Sequence, residues 1–330
     1  MEQSPNYRKI FVVGCPRSGT SWTAGMVAQH PDVIKIPGES HLYNLLYDPF
    51  TYLTKLSLSK RIKLRNWIFK NYGLKPLFTG FNSENLWAGL PHIYRFYERS
   101  GKGSGPHMFV EYAKFLELIE KAKMGDDDDL LKVKNLLESV LDHAFYQNGG
   151  DDSKVMLEKT PMHIKQAEVI LNSFPEAKMI EVVRDVRSVW ASWQALGKNE
   201  SWARKPTITN LVKKWVRCVE LGEKYKNNPL ICERILRFRY EDLRQDTFTG
   251  IKKIFEFLEL PISKEKISDI VEALDIKNIK QKGEGLSTRK GSIDAWKYEL
   301  SEADIQTCNQ LAGHLLEKLG YPVLSEVGSN

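Results

Sequence analysis

The chain has 330 residues, a formal net charge of +6 and 42% hydrophobic residues. That apolar content supports a real core, and the positive excess is too small and too scattered for a nucleic-acid binder. The polar start, Met1 to Lys9, has no signal-type apolar core, and no uninterrupted apolar run reaches the ~18 residues of a membrane span, so a cytoplasmic chain without a membrane span is expected.

The first predicted element is a buried strand, Lys9–Gly14, a short β-branched and aromatic run. A loop of small residues and one cation follows, Cys15-Pro16-Arg17-Ser18-Gly19, and helical spacing sets in over Ser21–Gln29. A strand, a small-residue loop and a helix make a cradle for an oxyanion, because backbone N–H groups converge there and the helix start adds partial positive charge. Both glycines of the triphosphate loop GxxxxGK[ST] are present, but Thr20 stands where that loop needs its lysine. The cradle therefore lacks the residue that reaches β- and γ-phosphates, which argues against ATP or GTP hydrolysis and against an obligate magnesium ion. A weaker strand, Val33–Ile36, runs into a Pro37-Gly38 turn and then Glu39-Ser40-His41.

From about Leu42 to Gly150 the pattern changes to aromatics and helix formers with loop signals at Pro76, Gly80 and Gly101–Pro106. This reads as a largely helical insertion or cap, and its four consecutive acids, Asp126–Asp129, as a solvated loop or helix end in preference to a metal site. Strands return at Val155–Lys159, Met179–Arg184 and Ile231–Arg239, separated by helical stretches at Ala167–Phe174, Ser188–Leu196 and Asn210–Tyr225. Helices at Thr247–Leu258 and Glu302–Leu319 complete the chain. Strands alternating with helices imply right-handed crossovers. The expected fold is α/β, with a mostly parallel central sheet flanked by helices, P-loop-like, as one domain over 1–330 with the insertion at about 42–150.

Arg184 and Ser192 form a second anion pattern. With a helix starting near Val186, an arginine at the strand end and a serine on the helix face one crevice above the strand ends, where ligands bind in open parallel sheets. The arginine offers a bidentate fork and the serine a hydroxyl. Arg289-Lys290-Gly291 is a third basic cluster, with Trp296-Lys297 after it. Lys159 ends a strand predicted to be buried, so its ammonium needs a partner: an anionic ligand, or a nearby acid such as Glu158. The cysteines, Cys15, Cys218, Cys232 and Cys308, form no CxxC pair, and the histidines form no HExxH, so neither a disulfide framework nor a zinc site is expected.

These pieces, taken together, resemble the sulfotransferases that use 3′-phosphoadenosine 5′-phosphosulfate (PAPS). Pro16-Arg17-Ser18-Gly19-Thr20-Ser21-Trp22 resembles their P-[KR]-S-G-T-[ST] loop, in the arginine form of the tyrosylprotein and carbohydrate branches. The resemblance implies that Arg17, Ser18, Gly19, Thr20 and Ser21 hold the 5′-phosphate and sulfonate and that Trp22 stacks on adenine. Arg184 to Ser192 resembles the 3′-phosphate motif R[DN]PxxxxxS, with Val186 in place of proline. Arg289 to Lys297 is similar to RKGxxGDWK, with Asp294-Ala295 replacing Gly-Asp, and assigns Arg289, Lys290 and Gly291 to the 3′-phosphate. Tyr240-Glu241-Asp242-Leu243 resembles the family's YEDL element, which implies that Tyr240 contacts adenine.

Sulfonyl transfer needs the acceptor hydroxyl deprotonated, the leaving oxygen stabilised and the sulfonyl oxygens neutralised in line, a logic carried over from phosphoryl transfer. Glu39-Ser40-His41 resembles the E-x-H-F-F motif whose glutamate is the general base, which makes Glu39 the base, with His41 as the other histidine-type choice or as its orienting partner. Leu157-Glu158-Lys159-Thr160-Pro161 resembles the EKTP element whose lysine faces the reacting centre; His163 beside it is a weaker acceptor-side residue. The implied co-substrate is PAPS, with 3′,5′-ADP as product and no metal required. The implied partner is a small-molecule, glycan or lipid-like hydroxyl acceptor, less readily an amine, entering past Trp67, Trp87, Tyr94 and Phe96. The competing readings are a P-loop-like nucleotide kinase or hydrolase and a non-catalytic nucleotide-binding module. The KxxxTVxxxE dimer segment of the cytosolic branch does not occur near the C-terminus.

Overall fold

The structure is a computed structural model that describes residues 7–43, 87, 90–91, 94–95, 97–99, 103–124, 129–200, 204, 206–275 and 293–323. Five parallel strands form the sheet: β1 (Arg8–Gly14), β2 (Val33–Lys35), β3 (Val155–Lys159), β4 (Lys178–Val183) and β5 (Ile235–Arg239), in the spatial order β2-β3-β1-β4-β5. Parallel strands are covered on both faces, and β1 shows why its sequence suits the centre. Ile10 and Val12 point into one core with helices α1 (Thr20–Val27), α8 (Thr247–Leu258) and α9 (Lys264–Ala273). Phe11 and Val13 point into the other, built from α3 (Asp129–Gln147), α5 (Val186–Asn199), α6 (Ile208–Lys226) and α11 (Glu302–Lys318). The remaining helices are α2 (Tyr112–Lys123), which packs with α3, α4 (Ala167–Ser173), α7 (Tyr240–Gln245) and α10 (Trp296–Glu299).

The register places the functional loops. Val12 lies beside Lys159 on one side and Ile180 on the other, and Gly14 lies beside Val182. The chain leaves β1 for α1 on one face and leaves β4 for α5 on the opposite face. Adjacent strands whose connections part in this way open a crevice at their carboxyl ends, the usual ligand position of doubly wound sheets.

Most element bounds agree with the sequence to within two residues, and the exceptions have local causes. The last strand starts at Ile235 rather than Ile231, because Cys232–Arg234 forms a 3-10 turn. Arg234 Nη1 ties that turn to the carbonyls of Leu171, Phe174 and Pro175, at 2.7 to 3.2 Å. Helix α5 begins at Val186, where Asp185 caps it by accepting from Arg187 N at 2.8 Å, and runs to Asn199, three residues past Leu196. Of the expected insertion, α2 and α3 are helical, and Phe115, Val133 and Phe145 share a core with Phe11 of β1. Residues 44–86, with Trp67, and residues 126–128 of the acidic run lie outside the described residues.

Candidate active site

The loop after β1 is shaped by two close approaches. Gly14 has φ +148°, and a Cβ there would sit 2.3 Å from the Val182 carbonyl oxygen of β4. Gly19 has φ +99° and caps α1, and its Cβ would sit 2.3 Å from Tyr240 Cδ2. Only glycine meets both demands, a left-handed backbone and contact with a neighbour where Cβ would be. Between them Arg17 also takes a positive φ, +76°, an uncommon conformation for a side chain of this size. The first N–H groups of α1 lack intrahelical acceptors and open into the same loop.

The two sequence-predicted anion sites meet here. Arg17 Nε donates to Ser192 Oγ at 3.1 Å, and Arg184 Nη1 donates to the Arg17 carbonyl at 3.3 Å. The Arg184 guanidinium also lies 4.3 Å over the Tyr240 ring. Among the described residues, Ser18 Oγ and Arg184 Nε are buried without a hydrogen-bond partner. An unpartnered buried guanidinium N–H is costly unless a ligand completes it, so Arg184, with Arg17 and Ser192 beside it, fits an anion, while Ser18 Oγ faces the packed side chains of Cys15, Trp215 and Cys218. Thr20 is buried at the helix start and Ser21 is half-buried.

Trp22 and Tyr240 form an aromatic pair beside the loop, edge to face at 5.6 Å. Trp22 donates from Nε1 to the Leu274 carbonyl at 3.2 Å and carries the Arg244 guanidinium 4.9 Å over its ring. Arg289, Lys290 and Gly291 lie outside the described residues. Ile293, two residues after Gly291, accepts at its carbonyl from Ser188 Oγ at 3.1 Å, on the helix that carries Ser192.

Sequence reasoning missed what holds Arg184 in place. Trp215 of α6, fully buried, donates from Nε1 to the Arg184 carbonyl at 2.8 Å. Arg187, three residues after Arg184, faces inward: it forks onto Asp185 at 2.6 to 3.2 Å and stacks 3.9 Å from Trp296. Glu241, next to Tyr240, accepts from Asp185 N at 3.1 Å and from Tyr321 Oη at 2.8 Å. The Asp185 cap two residues before Arg187 was the one legible signal of this inward turn.

Glu39, His41 and Lys159 come together at the ends of β2 and β3. Lys159, 8% exposed, donates to Glu39 Oε1 at 2.5 Å, and His41 Nε2 lies 3.3 Å from Glu39 Oε2. The lysine thus pairs with Glu39 and not with Glu158, because alternation along a strand sends adjacent side chains to opposite faces. Burial pushes the Glu39 carboxyl up, but the hydrogen bond to His41 and the charge of Lys159 outweigh it and hold the pKa down at about 2. His163 is fully buried against Glu158 and so does not face an acceptor cleft. Trp87 and Tyr94 are likewise core residues, packed with Phe115, where apolar burial keeps them from lining an open surface; Phe96 lies outside the described residues.

No helix among the described residues is long and apolar enough to cross a membrane, and no cluster of metal-ligating side chains occurs among them. Residues 9–264 match the sulfotransferase family model. Carbohydrate sulfotransferase 1 of Danio rerio is 23% identical over 181 residues, 53% of this chain and 42% of the relative. Carbohydrate sulfotransferase 5 of Mus musculus is 25% identical over 164 residues, 44% of this chain and 41% of the relative. The chain therefore spans less than half the length of the curated relatives it matches. The sulfotransferase domain of the Synechococcus PCC 7002 olefin synthase superposes with a TM-score of 0.50 at 18% identity, covering 98% of each chain, and shares the fold. The parallel sheet with its glycine cradle after β1, and a family match that begins in β1 and runs through α8, have one consequence: the chain belongs to the sulfotransferase family.

Proposed function

We propose that this chain transfers the sulfonyl group of PAPS to a hydroxyl of an acceptor, by in-line displacement and without a metal ion. The observation that carries the reading is the meeting of Arg17, Arg184 and Ser192 beyond the ends of β1 and β4, with Arg184 Nε buried and unpartnered. A ligand with phosphate-like groups at both ends of a nucleoside supplies acceptors for both loops. Arg17, Ser18, Gly19, Thr20 and Ser21 hold the 5′ side, and Arg184 and Ser192 the 3′ side, joined by Arg289, Lys290 and Gly291. Trp22 and Tyr240 provide the aromatic surface for the base.

When bound, PAPS supplies the activated sulfonyl group and a phosphate leaving group. The residues beside it do the rest. Glu39 is ionised throughout the physiological range, so it is in the protonation state that accepts a proton. A carboxylate held near 2 by His41 and Lys159 together is a weak base, however, and the pair with Lys159 must loosen for it to act. An anion placed beside the loop competes for the Lys159 ammonium. As Lys159 turns to it, Glu39 keeps His41 alone, and its basicity rises where the acceptor proton must go. Lys159 and Arg17 then face the transferring group with positive charge.

Sugar hydroxyls are the first acceptor class to test, because relatives named as carbohydrate sulfotransferases match the chain. Small phenolic and lipid-like alcohols come next. A single domain and a cytoplasmic setting complete the reading; the four free cysteines support the latter. The test is Glu39→Gln: 3′,5′-ADP binds with unchanged Kd while sulfonyl transfer falls at least ~100-fold, the scale of a lost general base. Unchanged turnover in that variant would remove Glu39 from the mechanism.

A further inference from the structure

Glu158 is the buried acid that the proposed reaction leaves unused. It stands at the end of β3, fully buried, one residue before Lys159. It collects donors from both segments of the catalytic centre. Its Oε1 accepts from Ser40 Oγ at 2.8 Å, Ser40 N at 3.4 Å and Thr160 Oγ1 at 2.5 Å. Its Oε2 lies 3.1 Å from His163 Nδ1, and an ionised carboxylate can only accept, so that nitrogen carries the proton. Burial pushes the Glu158 carboxyl up, and the charge of His163, its hydrogen bond and the two hydroxyls outweigh it, so the group stays below the ordinary carboxylate range.

The position of Ser40 gives this cluster its meaning. Ser40 sits between Glu39 and His41, and His41 N donates to Thr160 Oγ1 at 3.4 Å. Two neighbouring residues of β3 thus hold two neighbouring residues of the loop, Lys159 to Glu39 on one side and Glu158 to Ser40 on the other. A loop tied at one point can pivot about it, whereas one tied on both sides is fixed in pitch. The tie matters because Glu39 must stay aimed at the reacting centre after Lys159 has let go of it.

We infer that Glu158 is a positioning residue that sets the Glu39 carboxylate through Ser40, Thr160 and His163. The inference rests on the reading of Glu39 as the base. A misplacement of about 1 Å in such a centre costs on the order of 100-fold in rate. Glu158→Gln keeps an acceptor at one position and places an amide where the other oxygen was, so transfer falls about 10- to 100-fold. The Kd for 3′,5′-ADP stays within about twofold, since the hydrogen bonds of Glu158 run to Ser40, Thr160 and His163 and not to Arg17, Arg184 or Ser192.

The experiment is a double-mutant cycle with 3′,5′-ADP release from PAPS as the turnover readout, run against sugar and phenol acceptors. In the Glu39→Gln background, Glu158→Gln costs less than about twofold further, because a positioning group has nothing left to position. An equal cost in both backgrounds overturns the inference while leaving Glu39 as base. Full activity of Glu39→Gln alone overturns both. A second pair, independent of acceptor and safer for folding, is Ser40→Ala and Ser40→Thr, read by the carbon-13 titration of the Glu39 carboxyl. Ser40→Ala moves the Glu39 midpoint up by about one pH unit toward the ordinary value, and Ser40→Thr, which keeps the hydroxyl, restores it. A midpoint that ignores Ser40→Ala overturns the inference as well.

Discussion

Gly19→Ala probes the geometry of the cradle directly. The new Cβ would lie 2.3 Å from Tyr240 Cδ2 and 2.8 Å from Cε2, on a backbone with φ +99°. Tyr240 cannot swing away freely, because it is 7% exposed, with Trp22 at 5.6 Å and Arg184 at 4.3 Å. Left-handed strain costs ~1–2 kcal/mol and overpacking ~1–3 kcal/mol, so the variant loses ~2–5 kcal/mol. For a chain of this length that lowers Tm by ~3–7 °C. Differential scanning fluorimetry measures it, with Gly313→Ala as the control. Gly313 lies within α11 with nothing within 4 Å of its Cβ position, so alanine there adds stability, up to ~1 kcal/mol. Binding of 3′,5′-ADP to Gly19→Ala also weakens, because the displaced Tyr240 carries Arg184 with it. A Gly19→Ala protein with the wild-type Tm and the wild-type Kd would refute the packing argument.

The remaining expectations concern charge and support. Glu39 is depressed to about 2 from an ordinary 4.5, so the folded state binds fewer protons than the unfolded one. Its stabilising contribution is complete above about pH 4.5 and disappears as the pH falls through about 2. Urea unfolding across that window should show the stability gap between wild type and Glu39→Gln closing as acid is added. Trp215→Phe removes the donor to the Arg184 carbonyl and leaves that carbonyl unpaired, at a cost of ~1–3 kcal/mol in stability, read by urea denaturation.

What the sequence carried and what it did not divides along physical lines. The β1 loop was legible because its features are local: an apolar strand, two glycines, a helix start and no lysine at Thr20. The opening of α5 was legible in part, since a cap such as Asp185 is read from its own neighbours, but the inward turn of Arg187 needed Trp296 from the far end of the chain. The Glu39–Lys159 pair joins residues 120 apart and exists because β2 lies beside β3, a strand order that no local pattern states. Glu158 shows the same limit. A glutamate at a strand end reads as a surface charge or as a partner for the next lysine. Two of its four donors are local, from Thr160 and His163, and the other two appear only when Ser40 is brought across from the adjacent strand's loop. Trp215 was legible as an apolar helix residue, and its indole N–H found its acceptor only in the packed structure.

The central claim is a site built for a nucleotide with a 3′-phosphate and a 5′-phosphosulfate, and ligand stabilisation tests it most directly, because tight binding to the folded state raises Tm by mass action. Thermal shifts are measured with 3′,5′-ADP, 5′-AMP and ATP–magnesium, for wild type and Arg184→Ala. The expected result is a selective rise with 3′,5′-ADP in the absence of metal, and loss of its advantage over 5′-AMP in Arg184→Ala. An equal or larger rise with ATP–magnesium, or an undiminished preference for 3′,5′-ADP without Arg184, would contradict it.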